Sequence, residues 1–268
     1  MRFLSLFAGI GGFDLGLERA GMQCVGQVEI NPFCQAVLAY YWPHVRRVDD
    51  IRKAKGDEFG AVDLICGGAP CQPVSNAGKR RGTKDDRWLW PEAMRIVREA
   101  KPAWVLFENV RGLTTLEQGV VFESLLVELE GYGYEVQSFV IPACAVDAPH
   151  RRDRVWIVAY TPQHGRIARG PGNAEEIAER REPDRGGVNA DVADADTEGL
   201  QGQITTQIDS WKSGLPSECS RWPTESRICR VSNGIPGRVD RLQGLGNAVV
   251  PQVVEEIGRA IMKAEIYK

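Results

Sequence analysis

Apolar and polar positions alternate in blocks along the first 160 residues. Residues 2–7 are almost wholly apolar and end at Ala8-Gly9-Ile10-Gly11-Gly12. Residues 13–20 then put Phe13, Leu17 and Ala20 on one stripe at helical spacing. Residues 24–28 predict a second strand, ending at Glu29. Residues 32–42 predict a helix, with Asn31 as cap and Pro32 in first position. Val62 to Cys66 is a strand stopped by Gly67-Gly68, and residues 88–99 form a helix. The strand at 103–107 ends at Glu108-Asn109. A helix at 119–130 and strands at 134–141 and 154–160 follow. Strands alternate with helices, and apolar runs dominate the strands. This predicts an α/β fold: a doubly wound, mostly parallel sheet with helices on both faces. Its chemistry belongs at the C-terminal ends of the strands.

The pattern breaks at Thr161. The following residues are polar, poor in aliphatics and without repeats, and only 202–208 suggests a strand. Order returns near Arg238, and residues 249–264 predict a final helix with Pro251 in its first turn. Three parts are expected: a catalytic and ligand-binding domain at 1–160, a small variable region at 161–234, and a segment at 235–268 that packs back on the first.

Composition narrows the classes. The 43% hydrophobic and 26% charged residues of this 268-residue chain suit a folded protein. No apolar run approaches the roughly 18 residues of a membrane span. The N-terminus lacks a small-residue cleavage site and reads as a buried strand rather than a signal peptide. Seven cysteines at irregular spacing, with no Cys-x-x-Cys pair, fit neither a disulfide framework nor a zinc site. A reducing, cytoplasmic setting is expected. The net charge is −3, but its distribution is uneven. Residues 71–87 and 221–241 each carry five basic against two acidic residues, and residues 170–198 carry nine acidic against three basic. A basic face and an acidic back follow, which leaves nucleic acid open as a partner.

Five constellations could carry chemistry. Phe7-Ala8-Gly9-Ile10-Gly11-Gly12 sits between strand and helix, with Glu29 twenty residues after Gly9. Such glycines let the backbone approach a ligand, and an acid after the next strand can accept two ribose hydroxyls. Gly-x-Gly-Gly is not the dinucleotide fingerprint, and suits a nucleoside ligand such as S-adenosylmethionine. Asp50 could bond an adenine amino group, and Ile30 could pack on the ring. An ordinary α/β turn is the bland alternative. Gly67-Gly68-Ala69-Pro70-Cys71-Gln72-Pro73 holds Cys71 in a rigid strand-end loop among basic residues that favour its thiolate. Cys24, Cys34, Cys66 and Cys144 are read as buried apolar filler. Glu108 follows an apolar strand, where partial desolvation would raise its pKa and let it hold a proton. A solvated strand-end acid is the alternative. In Pro149-His150-Arg151-Arg152-Asp153-Arg154, alternation puts Arg152 and Arg154 on one side, and His150 has no companion at metal spacing. Asn247, in Gly246-Asn247-Ala248-Val249, opens the terminal helix and could hold a carboxylate, or simply cap it.

In this order, the segments resemble the DNA cytosine-5 methyltransferases. The glycine turn looks like that family's cofactor motif, and Pro70-Cys71-Gln72 like its Pro-Cys motif. Glu108-Asn109-Val110 looks like Glu-Asn-Val. Arg152 and Arg154 match the arginines of Gln-x-Arg-x-Arg, with His150 in the glutamine position, and 246–249 matches the last motif. The resemblance covers residues 2–160 and about 235–258. Neither Asp-Pro-Pro-Tyr nor Asn-Pro-Pro-Tyr, the amino-methylation motifs, is present.

The resemblance implies a Rossmann-like S-adenosylmethionine-dependent methyltransferase sheet. It implies that Cys71 adds to C6 of a flipped-out cytosine, Glu108 bonds N3 and the 4-amino group, Arg154 holds O2, and Arg152 orders the site. It assigns Phe7, Gly9, Gly11, Gly12, Glu29, Ile30, Asp50, Pro70 and Asn247 to the cofactor. Gln72, Ser75, Arg80, Arg81 and Arg238 become candidate DNA contacts. The expected partner is double-stranded DNA, bound by a monomer without metal or membrane. A partner protein could supply recognition that so short an insert lacks. Transfer RNA as substrate, or a non-catalytic cofactor-binding DNA module, stays open.

Overall fold

The computed structural model describes residues 1–70, 88–162 and 238–266. Seven strands form one sheet: β1 (Arg2–Leu6), β2 (Gln23–Val28), β3 (Arg46–Val48), β4 (Leu64–Gly67), β5 (Trp104–Val110), β6 (Glu135–Ile141) and β7 (Arg154–Tyr160). Their order across the sheet is β3-β2-β1-β4-β5-β7-β6. The helices are α1 (Gly12–Arg19), α2 (Pro32–Tyr41), α3 (Trp90–Ala100), α4 (Val120–Gly131), α5 (Arg238–Asn247) and α6 (Pro251–Ile266).

The sheet is parallel except at β7, which pairs antiparallel with both β5 and β6. The link from β6 to β7 explains the reversal. A parallel return needs a crossover, usually through a helix. The connection at 142–153 contains only a short turn at Ala143–Val146.

Side-chain alternation along the central strands feeds two cores. On one face Leu4, Leu6, Ile65, Val105 and Phe107 pack with Trp90, Met94 and Ile96 of α3 and with Leu125 and Leu129 of α4. On the other, Phe3, Leu64, Cys66, Leu106 and Trp156 meet Phe13 and Leu17 of α1 and Val253, Val254 and Ile261 of α6. No helix among the described residues is long and apolar enough to cross a membrane.

Three expectations need correction. Asn247 does not open the terminal helix. It ends α5, a helix whose two glycines, Gly244 and Gly246, hide it from a propensity reading, and α6 starts at Pro251. Glu108 lies inside β5 rather than beyond it, because pairing with β7 continues to Val110. Cys144 is exposed, whereas Cys24, Cys34 and Cys66 are buried.

Candidate functional site

The first half of the site is the turn after β1. Phe7, at φ +52°, begins it, and Gly9 and Gly11 continue in positive φ. Glu29 fixes the turn from the end of β2. Its Oε2 accepts the Gly9 N–H at 2.7 Å, and its Oε1 accepts the Asn31 N–H at 2.7 Å. Asn31 in turn caps α2 by accepting from Phe33 and Cys34. An ionised carboxylate has about four acceptor sites, so each Glu29 oxygen keeps capacity for a ribose hydroxyl.

The glycines do different work. A Cβ on Gly9 would meet nothing nearer than the Phe7 carbonyl at 4.0 Å, so its surroundings are open. A Cβ on Gly11 would lie 2.4 Å from the Trp42 ring, and one on Gly12 would lie 2.8 Å from Val249. The side chains missing at Gly11 and Gly12 are therefore required by internal packing. Ile30 is 64% exposed beside this turn, an apolar surface suited to a planar ring. Open space at Gly9, a fixed carboxylate with acceptor capacity and exposed Ile30 together fit a nucleoside cofactor. Asp50, two residues past β3, accepts the Arg52 N–H at 3.0 Å and so also builds its own turn.

A polar network beneath the turn escaped the sequence reading. Asp14 is fully buried and accepts bonds from Ser5, Cys24 and Gln27. Gln27 accepts in turn from Arg47, which also donates to the carbonyls of Leu38 and Trp42. Burial pushes the Asp14 carboxyl up and its three hydrogen bonds draw it down, burial being the larger effect. The available signal was three polar residues set inside otherwise apolar elements.

The second half of the site lies at the ends of β4, β5 and β7. Asn109 is buried and donates from Nδ2 to the Ala69 carbonyl at 3.0 Å. It ties the loop that leads to Pro70 onto β5. A Cβ on Gly68 would lie 3.2 Å from Glu108 Oε2, so that loop passes close to the Glu108 carboxyl. Glu108 pairs with Arg154, whose Nε is 2.9 Å from Oε1. Burial pushes the Glu108 carboxyl up to about 7, against the opposing pull of Arg154 and then Arg152.

Arg152 also has partners outside this pair. Its φ of +42° turns the chain just before β7. Its Nη2 donates to the carbonyls of Gly246 at 2.9 Å and Ala248 at 2.8 Å. Arg154 thus faces Glu108, while Arg152 holds the turn that carries exposed Asn247. Cys71, Gln72, Ser75, Arg80 and Arg81 lie outside the described residues, as does the side chain of Arg238.

Comparison with known proteins agrees with this architecture. Residues 1–215 match the family model described as C-5 cytosine-specific DNA methylase. The type II methyltransferase M.HgiCII of Herpetosiphon aurantiacus is 39% identical over 61% of this chain, which spans 38% of that protein. M.NgoMIV of Neisseria gonorrhoeae, another type II methyltransferase, is 29% identical, with 98% of each chain covered. The S. pombe Dnmt2 methyltransferase shares the fold, with a TM-score of 0.51 and 23% identity over 60% of this chain and 51% of that one. The glycine turn with its Glu29 anchor and the Glu108–Arg154 pair are thus parts of a member of the C-5 cytosine-specific DNA methylase family.

Proposed function

We propose that this chain methylates C5 of cytosine in duplex DNA, with S-adenosylmethionine as methyl donor and Cys71 as nucleophile. The observation that carries the reading is Glu108. It is a mostly buried carboxyl, its side chain 12% exposed, close to its protonation midpoint at neutral pH and held by Arg154 beside the loop that leads to Pro70.

The chemistry follows from cytosine itself. C5 is a poor nucleophile until a thiolate adds at C6 and makes the ring an enamine. Cys71 supplies that thiolate. Glu108 places its proton at N3, which neutralises the charge that builds on the ring as the C6–S bond forms. Arg154 keeps the carboxyl aimed and offers its remaining donors to O2. The bound cofactor supplies an electrophilic methyl group on sulfur. Glu29, Gly9 and Ile30 hold its nucleoside, and Asp50, Pro70 and Asn247 complete that side. Loss of the C5 proton to solvent then expels Cys71 and restores the aromatic ring. The target base must leave the duplex stack to reach Cys71.

In this reading residues 1–160 and 235–268 carry the chemistry, and 161–234 read the target sequence. The chain works as a cytoplasmic monomer on DNA. It serves as the methyltransferase of a restriction–modification system, as the names of its relatives suggest. Duplex DNA containing 5-fluorocytosine tests the proposal, because fluorine at C5 cannot leave as a proton does. A stable, cofactor-dependent adduct is expected with the wild type and none with Cys71→Ala. No adduct on duplex DNA, or an adduct formed only on transfer RNA, overturns it.

A further inference from the structure

We propose that Arg111 and Arg151, both bound to Asp153, form a clamp for a backbone phosphate next to the Glu108 site. The inference rests on the reading that the chain acts on DNA.

The register of β5 and β7 sets the position. Val110 lies opposite Arg154 at the last step of that ladder. The chain continues into Arg111 on one strand and comes from Asp153 on the other, one residue past the strand that carries Glu108 and one before Arg154. Asp153 Oδ1 accepts from Arg151 Nε at 3.0 Å, and its Oδ2 is 3.9 Å from Arg111 Nη1. One carboxylate thus serves two guanidiniums through different oxygens. The backbones behind them are fixed. The Arg151 carbonyl accepts the Ala143 N–H at 2.6 Å, and the Arg111 carbonyl accepts the Thr114 hydroxyl at 2.9 Å.

The arginine side chains nevertheless face solvent, with 63% exposed at Arg111 and 77% at Arg151, against 20% at Asp153. Exposed ion pairs contribute little to stability, so folding does not explain the arrangement. Two cations on one anion leave a net positive charge at the rim. Orienting both guanidiniums beforehand lowers the entropic cost of capturing an anion. Guanidinium forks match phosphate oxygens. A cytosine presented to Glu108 brings its own backbone phosphates to this rim. Such contacts set position and carry no sequence information.

The test is duplex binding by fluorescence anisotropy over a salt series of about 50–200 mM. The proteins compared are the wild type, the double variant Arg111→Ala/Arg151→Ala, the double variant Arg111→Lys/Arg151→Lys, and Arg98→Ala as an exposed control on α3. The double alanine variant should bind all sequences more weakly, with a salt slope flatter by about 1, for the one phosphate that the clamp no longer neutralises. The lysine pair should keep the wild-type slope but lose affinity, because it keeps charge without the fork. Arg98→Ala should behave as wild type. If the alanine pair keeps the wild-type slope and affinity, the clamp is wrong while the DNA reading stands. If the lysine pair binds as tightly as wild type, the rim is diffuse charge and the clamp is again wrong. A wild type that neither binds duplex nor forms the 5-fluorocytosine adduct removes both proposals.

Discussion

Arg154 donates from Nε to Oε1 of Glu108 at 2.9 Å, across two neighbouring antiparallel strands. An ion pair of this kind normally keeps a carboxylate ionised. Here burial outweighs the arginine, and the carboxyl is pushed up to about 7. The arginine therefore aims an acid that still holds its proton over part of the neutral range.

This predicts a pH dependence with a definite sign. The free enzyme needs protonated Glu108, so kcat/KM for DNA should fall as pH rises through about 7. Stability moves in the same direction. Between the unfolded value of 4.5 and the folded value of about 7, the native state holds a proton that the unfolded chain has lost. Stability is therefore lost as pH rises through that window, by up to about 3 kcal/mol. Glu108→Gln removes both effects and slows single-turnover methylation by about 10²–10⁴-fold. Urea midpoints for both proteins at about pH 5 and 8 check the linkage. A wild type that gains stability over the variant as pH rises contradicts it.

Arg152 should influence the cofactor rather than the base alone. Its two bonds hold the carbonyls on either side of Asn247. Each charge-assisted bond contributes about 1.5–3 kcal/mol. If the turn presents Asn247 to the cofactor, Arg152→Ala should weaken S-adenosylmethionine binding about 10–100-fold, and Arg152→Lys, which can reach one carbonyl, by less. Calorimetry on the DNA-free protein measures this. Equal affinities in all three proteins would confine Arg152 to the base side.

The elements legible in the sequence were those written in apolar blocks. β7 was found at Arg154–Tyr160 because its residues are apolar, but its direction is set by the short link before it. The spacing of Gly9 and Glu29 singled out both residues, but the bond from the Gly9 N–H to Glu29 was not legible in it. The reason for Gly11 and Gly12 was not, because Trp42 and Val249, which fill the space, lie far along the chain. Asp14 carries no signal of its own in the sequence. Its burial depends on Ser5, Cys24 and Gln27 arriving from two strands. Alternation gave no hint of the positive φ at Arg152 or of its bonds to the carbonyls of Gly246 and Ala248.

Glu29 combines two functions that substitution can separate. Glu29→Gln keeps one oxygen acceptor but turns an NH₂ group toward a backbone N–H that now needs a partner. Glu29→Ala removes both acceptors and leaves space for water. Both should weaken the cofactor, with Glu29→Ala losing about 1.5–3 kcal/mol for each ribose hydroxyl bond. Glu29→Gln should destabilise the folded protein at least as much as Glu29→Ala, because a donor facing a donor is worse than a hydrated gap. Urea melts of the two variants, with cofactor calorimetry alongside, provide the check. Unchanged cofactor affinity in both would leave Glu29 as a structural anchor only.

Gly9 and Gly11 give the sharpest contrast, because both have positive φ but different surroundings. At Gly11, φ is +88° and a new Cβ would lie 2.4 Å from Trp42, with Leu38 at 3.2 Å. Trp42 cannot retreat easily, since its carbonyl is held by Arg47 and its N–H by Leu38. Gly11→Ala should therefore destabilise the protein by about 2–4 kcal/mol, from left-handed strain and overpacking together. At Gly9, φ is +56° and the space around a Cβ is open to 4.0 Å. Gly9→Ala should cost only about 1–2 kcal/mol of stability. Its methyl group would instead stand where the cofactor's nucleoside approaches the backbone, so cofactor affinity should fall by more than the fold does. Urea denaturation without cofactor and calorimetry with it separate the two effects. If Gly9→Ala binds S-adenosylmethionine as the wild type does, the open space at Gly9 is not the cofactor's, and the turn serves only to start α1.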